Sequence, residues 1–155
     1  MVKKTFNEKL NDSKDMPKMV VVSDEKSIER YGGKNMIIAS PLDYNRIMSE
    51  IPEGRVITIT EIRKYLAEKY DADFTCPLTA GIFISLAAQA SHERSNDKIS
   101  YWRTLKKDGE LNSKYPGGVE YQKQMLEKEG HTFITRGRKN IKYYVENYKD
   151  KLYNL

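Results

Sequence analysis

Residues 51–91 place the strongest limit on the fold. Ile51-Pro-Glu-Gly-Arg55 reads as a turn, because Pro and Gly punctuate the chain there, and 56–58 reads as a strand stub. Thr58-Ile-Thr-Glu61 has the spacing of a capping box and opens a helix to about residue 70, with Ile59, Ile62 and Leu66 on one face. A connection over 71–77 leads to a second helix over 78–91, whose expected inward positions are Ile82, Phe83, Leu86, Ala87 and Ala90. Two consecutive helices with a short join predict a helix-turn-helix unit. The expected outer face of the second helix holds Thr79, Gly81, Ser85, Ala88 and Gln89. These are small or neutral residues where a solvated helix would carry Lys and Glu, and they leave room for another polymer to come close.

The flanking segments are mixed. Residues 18–22 predict a short buried strand, the acids after Ser23 a helix to about Tyr31, and 35–39 a second strand able to pair with the first. Ser40-Pro41-Leu42-Asp43 combines an N-cap hydroxyl, a first-position proline and an acid at the third position, so a helix runs from there to Glu50. Residues 92–98 form a loop. A helix over 119–129 has Gly130 placed to end it. Residues 131–135 and 141–145 are strand-like and joined by the turn 136–140, giving a hairpin whose tip carries Arg136, Arg138 and Lys139; a last short helix is expected over 146–152. Neither an internal repeat nor a low-complexity tract is present.

The length of 155 residues suits one compact domain. Lys and Arg number 27 against 22 Asp and Glu, so the chain is drawn to polyanions, although that balance permits such binding without requiring it. Eleven tyrosines exceed the 4 phenylalanines and 1 tryptophan; rings with a polar edge suit interfaces and stacking platforms, and equally the rim of a small core. The lone Cys76 excludes an internal disulfide and reads as a packing residue in a reduced, intracellular setting. Two histidines give no zinc-ligand spacing, so neither metal nor cofactor is expected. No apolar run approaches the roughly 18 residues that span a bilayer, and residues 1–10 lack a signal peptide's apolar core, so a soluble, cytoplasmic protein without membrane attachment is expected.

Four landmarks, in order, carry a family resemblance. They are Ile51-Pro-Glu-Gly-Arg-Val-Ile-Thr58, the small-residue second helix, the segment Ser100-Tyr-Trp-Arg103 followed by Tyr115-Pro-Gly-Gly118, and Glu127-Lys-Glu-Gly-His131. Over 51–131 the chain resembles the alkylguanine-DNA alkyltransferases, in which these places read Ile-Pro-x-Gly-x-Val-x-Thr, a recognition helix, Pro-Cys-His-Arg with Tyr-x-Gly-Gly, and Glu-Gly-His. The resemblance implies a recognition helix that enters the minor groove, here the helix over 78–90, where a width of only about 6 Å favours a slim helix face.

It also implies what has been lost. Tyr101 stands at the nucleophilic cysteine and Trp102 at the proton-relaying histidine, while Arg103 and the orienting Glu129 match. A phenol with a pKa near 10 is a poor replacement for a thiolate, and an indole relays no proton. The tyrosine that assists base rotation corresponds to Ile59, the intercalating arginine to Gly81, and the residue whose amide contacts the guanine oxygen to Pro116, which has no N–H. Tyr101 and Trp102 either fill the alkyl pocket or leave Tyr101 lining a pocket for a base; filling is favoured because two bulky rings consume volume. Arg103 is placed to pair with an acid such as Glu129.

The expectation is therefore an α+β fold: a winged-helix-like helix-turn-helix domain over 51–155, a small α/β extension over 1–50 packed on it, and the 131–145 hairpin as a wing. The expected function is non-enzymatic binding of double-stranded DNA in the alkyltransferase-like manner, with recognition of alkylated guanine for repair proteins. Thr79, Gly81, Ser85, Gln89, Arg136, Arg138 and Lys139 would touch DNA; Tyr101, Trp102, Arg103, Tyr115 and Glu129 would occupy the former active-site pocket. The alternatives are a DNA-binding regulator with no role in damage, and a protein-interaction module or an enzyme of unknown reaction built on residues 1–50.

Overall fold

A computed structural model of the chain describes residues 3–155. Local capping chemistry starts its first four α-helices. Helix α1 (Phe6–Asn11), which the sequence reading passed over, begins at Thr5 with a reciprocal capping box to Glu8. Strand β1 (Lys18–Val21), helix α2 (Glu25–Tyr31) and strand β2 (Asn35–Ile38) follow. Asp24 caps α2, and Gly32, with φ of 84°, ends it in the left-handed conformation that glycine adopts without steric cost. Helix α3 (Pro41–Glu50) starts as expected: Ser40 Oγ accepts from the Asp43 N–H and the Asp43 carboxylate accepts from the Ser40 N–H.

Strand β3 (Ile57–Thr58) runs directly into helix α4 (Ile59–Lys69), where Thr58 Oγ1 accepts from the Glu61 N–H at 3.3 Å. Ile62 and Leu66 are fully buried and Ile59 packs beside them. The 71–77 connection contains a strand the sequence did not announce, β4 (Phe74–Thr75), which pairs parallel to β2. Helix α5 (Pro77–Glu93) is the longest element, and strand β5 (Thr104–Leu105) then pairs parallel to β3. Helix α6 (Gly118–Lys128) and the antiparallel strands β6 (Phe133–Arg136) and β7 (Lys142–Val145) complete the chain, with a 3-10 turn at Tyr148–Lys151 in place of the expected α-helix over 146–152.

The sheets are small: β1-β2-β4, β3-β5 and β6-β7. β1 pairs antiparallel with β2, but it is an edge strand and most of it is exposed, Met19 and Val21 included, so the expectation of a buried strand is wrong. Apolar composition marked a strand correctly, but it does not distinguish an edge from a centre. The main core joins Leu10 of α1, Tyr44, Ile47 and Met48 of α3, Ile62 and Leu66 of α4 and the inner side of α5 to Tyr101 and Tyr115. A second cluster, Val56, Leu105, Leu111, Leu126 and Val145, seats the hairpin, and Trp102 packs against both. Among the described residues no helix is long and apolar enough to cross a membrane.

Candidate nucleic-acid interface

Helix α5 buries Ala80, Ile84, Ala87, Ala88, Ala90 and Ser91. That face is built largely from alanine because α1 and α3 pack closely against it, with Asn7 Nδ2 of α1 donating to the Ala90 carbonyl at 2.9 Å. The sequence reading assumed that size marks the inside, and two assignments fail for that reason. Ala88, expected outside, is wholly buried, and Ile82, expected inside, is 54% exposed; Leu78, one turn earlier, is 71% exposed. Phe83 and Leu86 are half-buried against the core.

The residues expected to touch another polymer divide into two groups. A Cβ added at Gly81 would meet nothing within 4 Å, and Ser85 is half-buried beside it. Thr79 is half-buried with its hydroxyl covered and unpartnered, and Gln89 is occupied, since its Nε2 donates to the Lys114 carbonyl at 3.0 Å. The start of α5 is electrostatically open: Cys76 makes no side-chain cap, and the first turn holds no acid to offset the positive end of the helix. Cys76 itself is a free, buried packing residue.

Beside Gly81 and Ser85 lies a cleft of about 250 Å³. The β3-β5 pairing, Ile57 with Thr104 and Thr58 with Leu105, brings the 105–115 segment alongside α5 and forms the opposite wall. Ile59, Ile84, Leu105 and Tyr115 supply its apolar lining, Lys106, Lys107 and Lys114 are its cations, and no acid lines it. All three lysines are exposed; Lys106 has a distant partner in Glu110 at 3.8 Å, a pairing that solvent largely screens. The sequence reading missed these lysines because they lie far along the chain from α5; their clustering around the Asp108-Gly109 turn was the available signal.

Tyr101, Trp102, Arg103, Tyr115 and Glu129 do come together in one joint, and a cleft of about 190 Å³ beside it is lined by Tyr101, Trp102, Ser91 and Tyr121. The Tyr101 hydroxyl donates to the Pro116 carbonyl at 3.0 Å and the Tyr115 hydroxyl to the Thr104 carbonyl at 2.9 Å. The Tyr101 ring meets Trp102 and Tyr115 edge-on at 5.5 and 5.3 Å between centroids. Trp102 Nε1 donates to Glu129 at 2.7 Å, Arg103 donates to both carboxylate oxygens and, through Nη1, to the Ile51 carbonyl at 2.7 Å, and the Gly54 N–H adds a bond of 3.2 Å to Glu129. Burial by itself would raise the Glu129 pKa, but the donors from Arg103, Trp102 and Gly54 outweigh it and hold the carboxyl below its ordinary value. Burial pushes the Tyr101 phenol up to about 12, far from a phenolate nucleophile.

Of two further buried polar residues at this joint, Gln122 escaped the sequence reading and His131 entered it only as the end of the Glu127–His131 landmark. Gln122, fully buried on α6, accepts from the Asn112 N–H at 2.7 Å and donates to the Trp102 carbonyl at 3.0 Å, so it ties the cleft wall to the joint. His131 is 3% exposed with both ring nitrogens unpartnered, and burial, then the nearby Lys151, lowers its pKa.

The hairpin forms where expected. Arg138 and Lys139 are exposed at its tip, and Arg136, at the end of β6, lies over the Tyr144 ring at 4.7 Å. Leu111 donates its N–H to the Tyr143 carbonyl at 2.9 Å. The 106–111 strip therefore borders the cleft through its lysines and the hairpin through Leu111.

The sequence matches no protein-family model and no curated protein. Two solved structures share its fold. One is S. pombe Atl1 in complex with damaged DNA containing O6-carboxymethylguanine, with a TM-score of 0.51 at 20% identity over 74% of this chain and 94% of that one. The other is S. pombe ATL in complex with DNA, with a TM-score of 0.51 at 18% identity and the same coverage. At such identities the likeness is one of fold.

Proposed function

We propose that this chain, which shares its fold with the S. pombe alkyltransferase-like structures, is a non-enzymatic protein that binds double-stranded DNA. In this reading α4 and α5 act as a helix-turn-helix, α5 faces the minor groove, and the β6-β7 hairpin serves as a wing. The observation that carries the reading is the cleft beside Gly81 and Ser85, with an apolar lining, three lysines and no acid. Lysines in such a place answer phosphates, and an apolar lining suits a base face.

Absence of alkyl transfer follows from Tyr101 and Trp102. The phenol is buried and hydrogen-bonded, and the indole is committed to Glu129, so nothing in the joint is free to attack an alkyl carbon. Within the same reading the cleft receives an alkylated guanine, and repair proteins act on the complex.

A second reading, DNA binding without lesion preference, draws on Pro116. It offers no N–H at the place corresponding to the family's guanine contact, and its carbonyl is taken by Tyr101. Titration of the protein with matched duplexes, one carrying a labelled O6-alkylguanine and one plain, separates these readings. Salt-dependent binding that is tighter for the alkylated duplex, with no label left on the protein, is the expected result. Equal affinities select the second reading, and no binding to either duplex at low salt removes both.

A further inference from the structure

The hairpin lies beyond residues 51–131, and its two faces differ. In the β6-β7 register Phe133 pairs with Val145 and Thr135 with Tyr143, whereas Ile134 pairs with Tyr144 and Arg136 with Lys142. Residues opposite one another share a face of the sheet. Phe133, Tyr143 and Val145 seat one face on the second core cluster, so Ile134, Tyr144 and Arg136 look outward. On that outer side lies a groove of about 580 Å³, larger than the cleft beside Gly81. Its size falls in the range of about 300–1,000 Å³ that suits a small organic group. Tyr148 forms a further wall, held close because Gly109, with φ of 86°, lets the ring lie against its backbone; a Cβ there would stand 2.7 Å from the ring. Residues 136–151 also hold six of the chain's 27 Lys and Arg but two of its 22 Asp and Glu. Most of the net charge of +5 therefore sits on this hairpin and the turn after it, interleaved with Tyr143, Tyr144 and Tyr148.

We propose that the outer face of the β6-β7 hairpin is a second nucleic-acid site, one that takes an unpaired base of a single strand. The inference goes beyond the duplex reading of α5 and does not depend on it. A single strand is held by flat groups on which bases stack and by cations that follow its backbone. Tyr148 supplies one flat group, and the Arg136 guanidinium, 4.7 Å from the centroid of the Tyr144 ring, supplies another, since bases stack on guanidinium planes as they do on rings. Ile134, 37% exposed, continues the apolar floor. Lys149 lines the groove with Arg136, and the exposed Lys142 lies beside them to meet phosphates. Asp108, Asn147 and Asp150 line it too, and among the described residues neither carboxylate has an ion-pair partner. Those carboxylates would repel an acidic peptide, whereas every base offers at least one N–H on its pairing edge to such acceptors. A duplex keeps its ring faces stacked and its pairing edges occupied, so it would meet the cations and leave the rings and carboxylates unused.

The test is fluorescence anisotropy at low salt with two probes, a short labelled single strand of mixed sequence that cannot pair with itself and a labelled duplex. The parent protein should bind the single strand. Ile134→Thr/Tyr144→Thr keeps β-branched residues that suit a strand but removes the stacking floor. It should bind the single strand about tenfold more weakly, the scale of one lost base–aromatic stack, with its duplex affinity unchanged. Tyr144→Phe, which keeps the ring, should bind the single strand as the parent does. Gly81→Glu, on α5, should retain single-strand binding whatever it does to duplex affinity. Circular dichroism checks folding; if the double threonine variant does not fold, the single variants carry the same comparison. A parent that does not bind the single strand, a threonine variant with the parent's affinity for it, or a Gly81→Glu variant that loses it, overturns the groove and leaves the duplex reading standing. A parent that binds the single strand but no duplex removes the reading of α5 and leaves the groove in place.

Discussion

Trp102 and Glu129 meet through a hydrogen bond of 2.7 Å, the shortest of those that converge on the Glu129 carboxylate, and Arg103 closes the other side of the same group. The Arg103 and Glu129 side chains are 14% and 5% exposed. Removing the Trp102 donor by Trp102→Phe should cost about 1–3 kcal/mol. Arg103→Met, which leaves a buried carboxylate without its counter-charge, should cost about 3–5 kcal/mol. Urea unfolding checks both. Equal and small losses for the two variants would show that the ion pair does not hold this joint together.

The unpartnered imidazole of His131 sets a pH dependence. Burial lowers its pKa in the folded state, so in the window below the unfolded value near 6.5 the unfolded chain takes up the proton first. The stabilising contribution is complete above about pH 6.5 and is lost as pH falls through the folded pKa. His131→Gln should flatten the slope of the urea midpoint against pH in that window. A parent slope that the substitution leaves unchanged would assign the titration to another group.

Gly81→Glu tests the open face of α5. The substitution meets nothing in the fold and should raise helix propensity by up to about 1 kcal/mol. It sets a negative charge where phosphates would approach, so duplex binding should fall at least about tenfold, equivalent to ~1.4 kcal/mol. Thermal melting and duplex titration on one sample read both effects. A stable variant with the parent's affinity would mean that α5 does not face DNA.

The hairpin cations offer a separate measurement. Arg136, Arg138 and Lys139 are exposed, and only Arg136 has an aromatic contact, so replacing all three with Ala should leave the fold stable. Binding should weaken similarly for every duplex, and the salt dependence should flatten by up to about three phosphate equivalents. An unchanged salt slope would place the hairpin away from DNA.

What the sequence made legible was what local chemistry decides. The starts of α3 and α4 follow from side-chain oxygens at Ser40 and Thr58 that reach N–H groups three residues on, and Thr5-Phe-Asn-Glu8 carried the same signal for α1 unread. What stayed hidden depends on distant pairing. β4 is two residues long and exists because β2 lies beside it, and the lysines of the cleft reach α5 only through the β3-β5 pairing. The exposed face of α5 was misjudged because close helix packing buries alanines and turns larger neighbours outward. The pocket residues 101–103, 115 and 129 were found together by resemblance, but the ion pair of Arg103 with Glu129 and the cleft left beside Tyr101 and Trp102 required side-chain geometry.

The attachment of α1 has a mechanical consequence. Glu93, at the far end of α5, accepts from the N–H groups of Phe6 and Asn7, while Gln89 is tied to the loop at Lys114. The last turns of the helix are thus anchored from two sides, and its start is held by the β2-β4 pairing and by the Cys76 N–H bond to the Ile37 carbonyl, so that Leu78 and Ile82 project from a beam clamped at both ends. A ligand pressing on that face would work against the whole core rather than against one flexible helix. Little ordering should then accompany association, and the unliganded backbone already has the shape a rigid partner would meet.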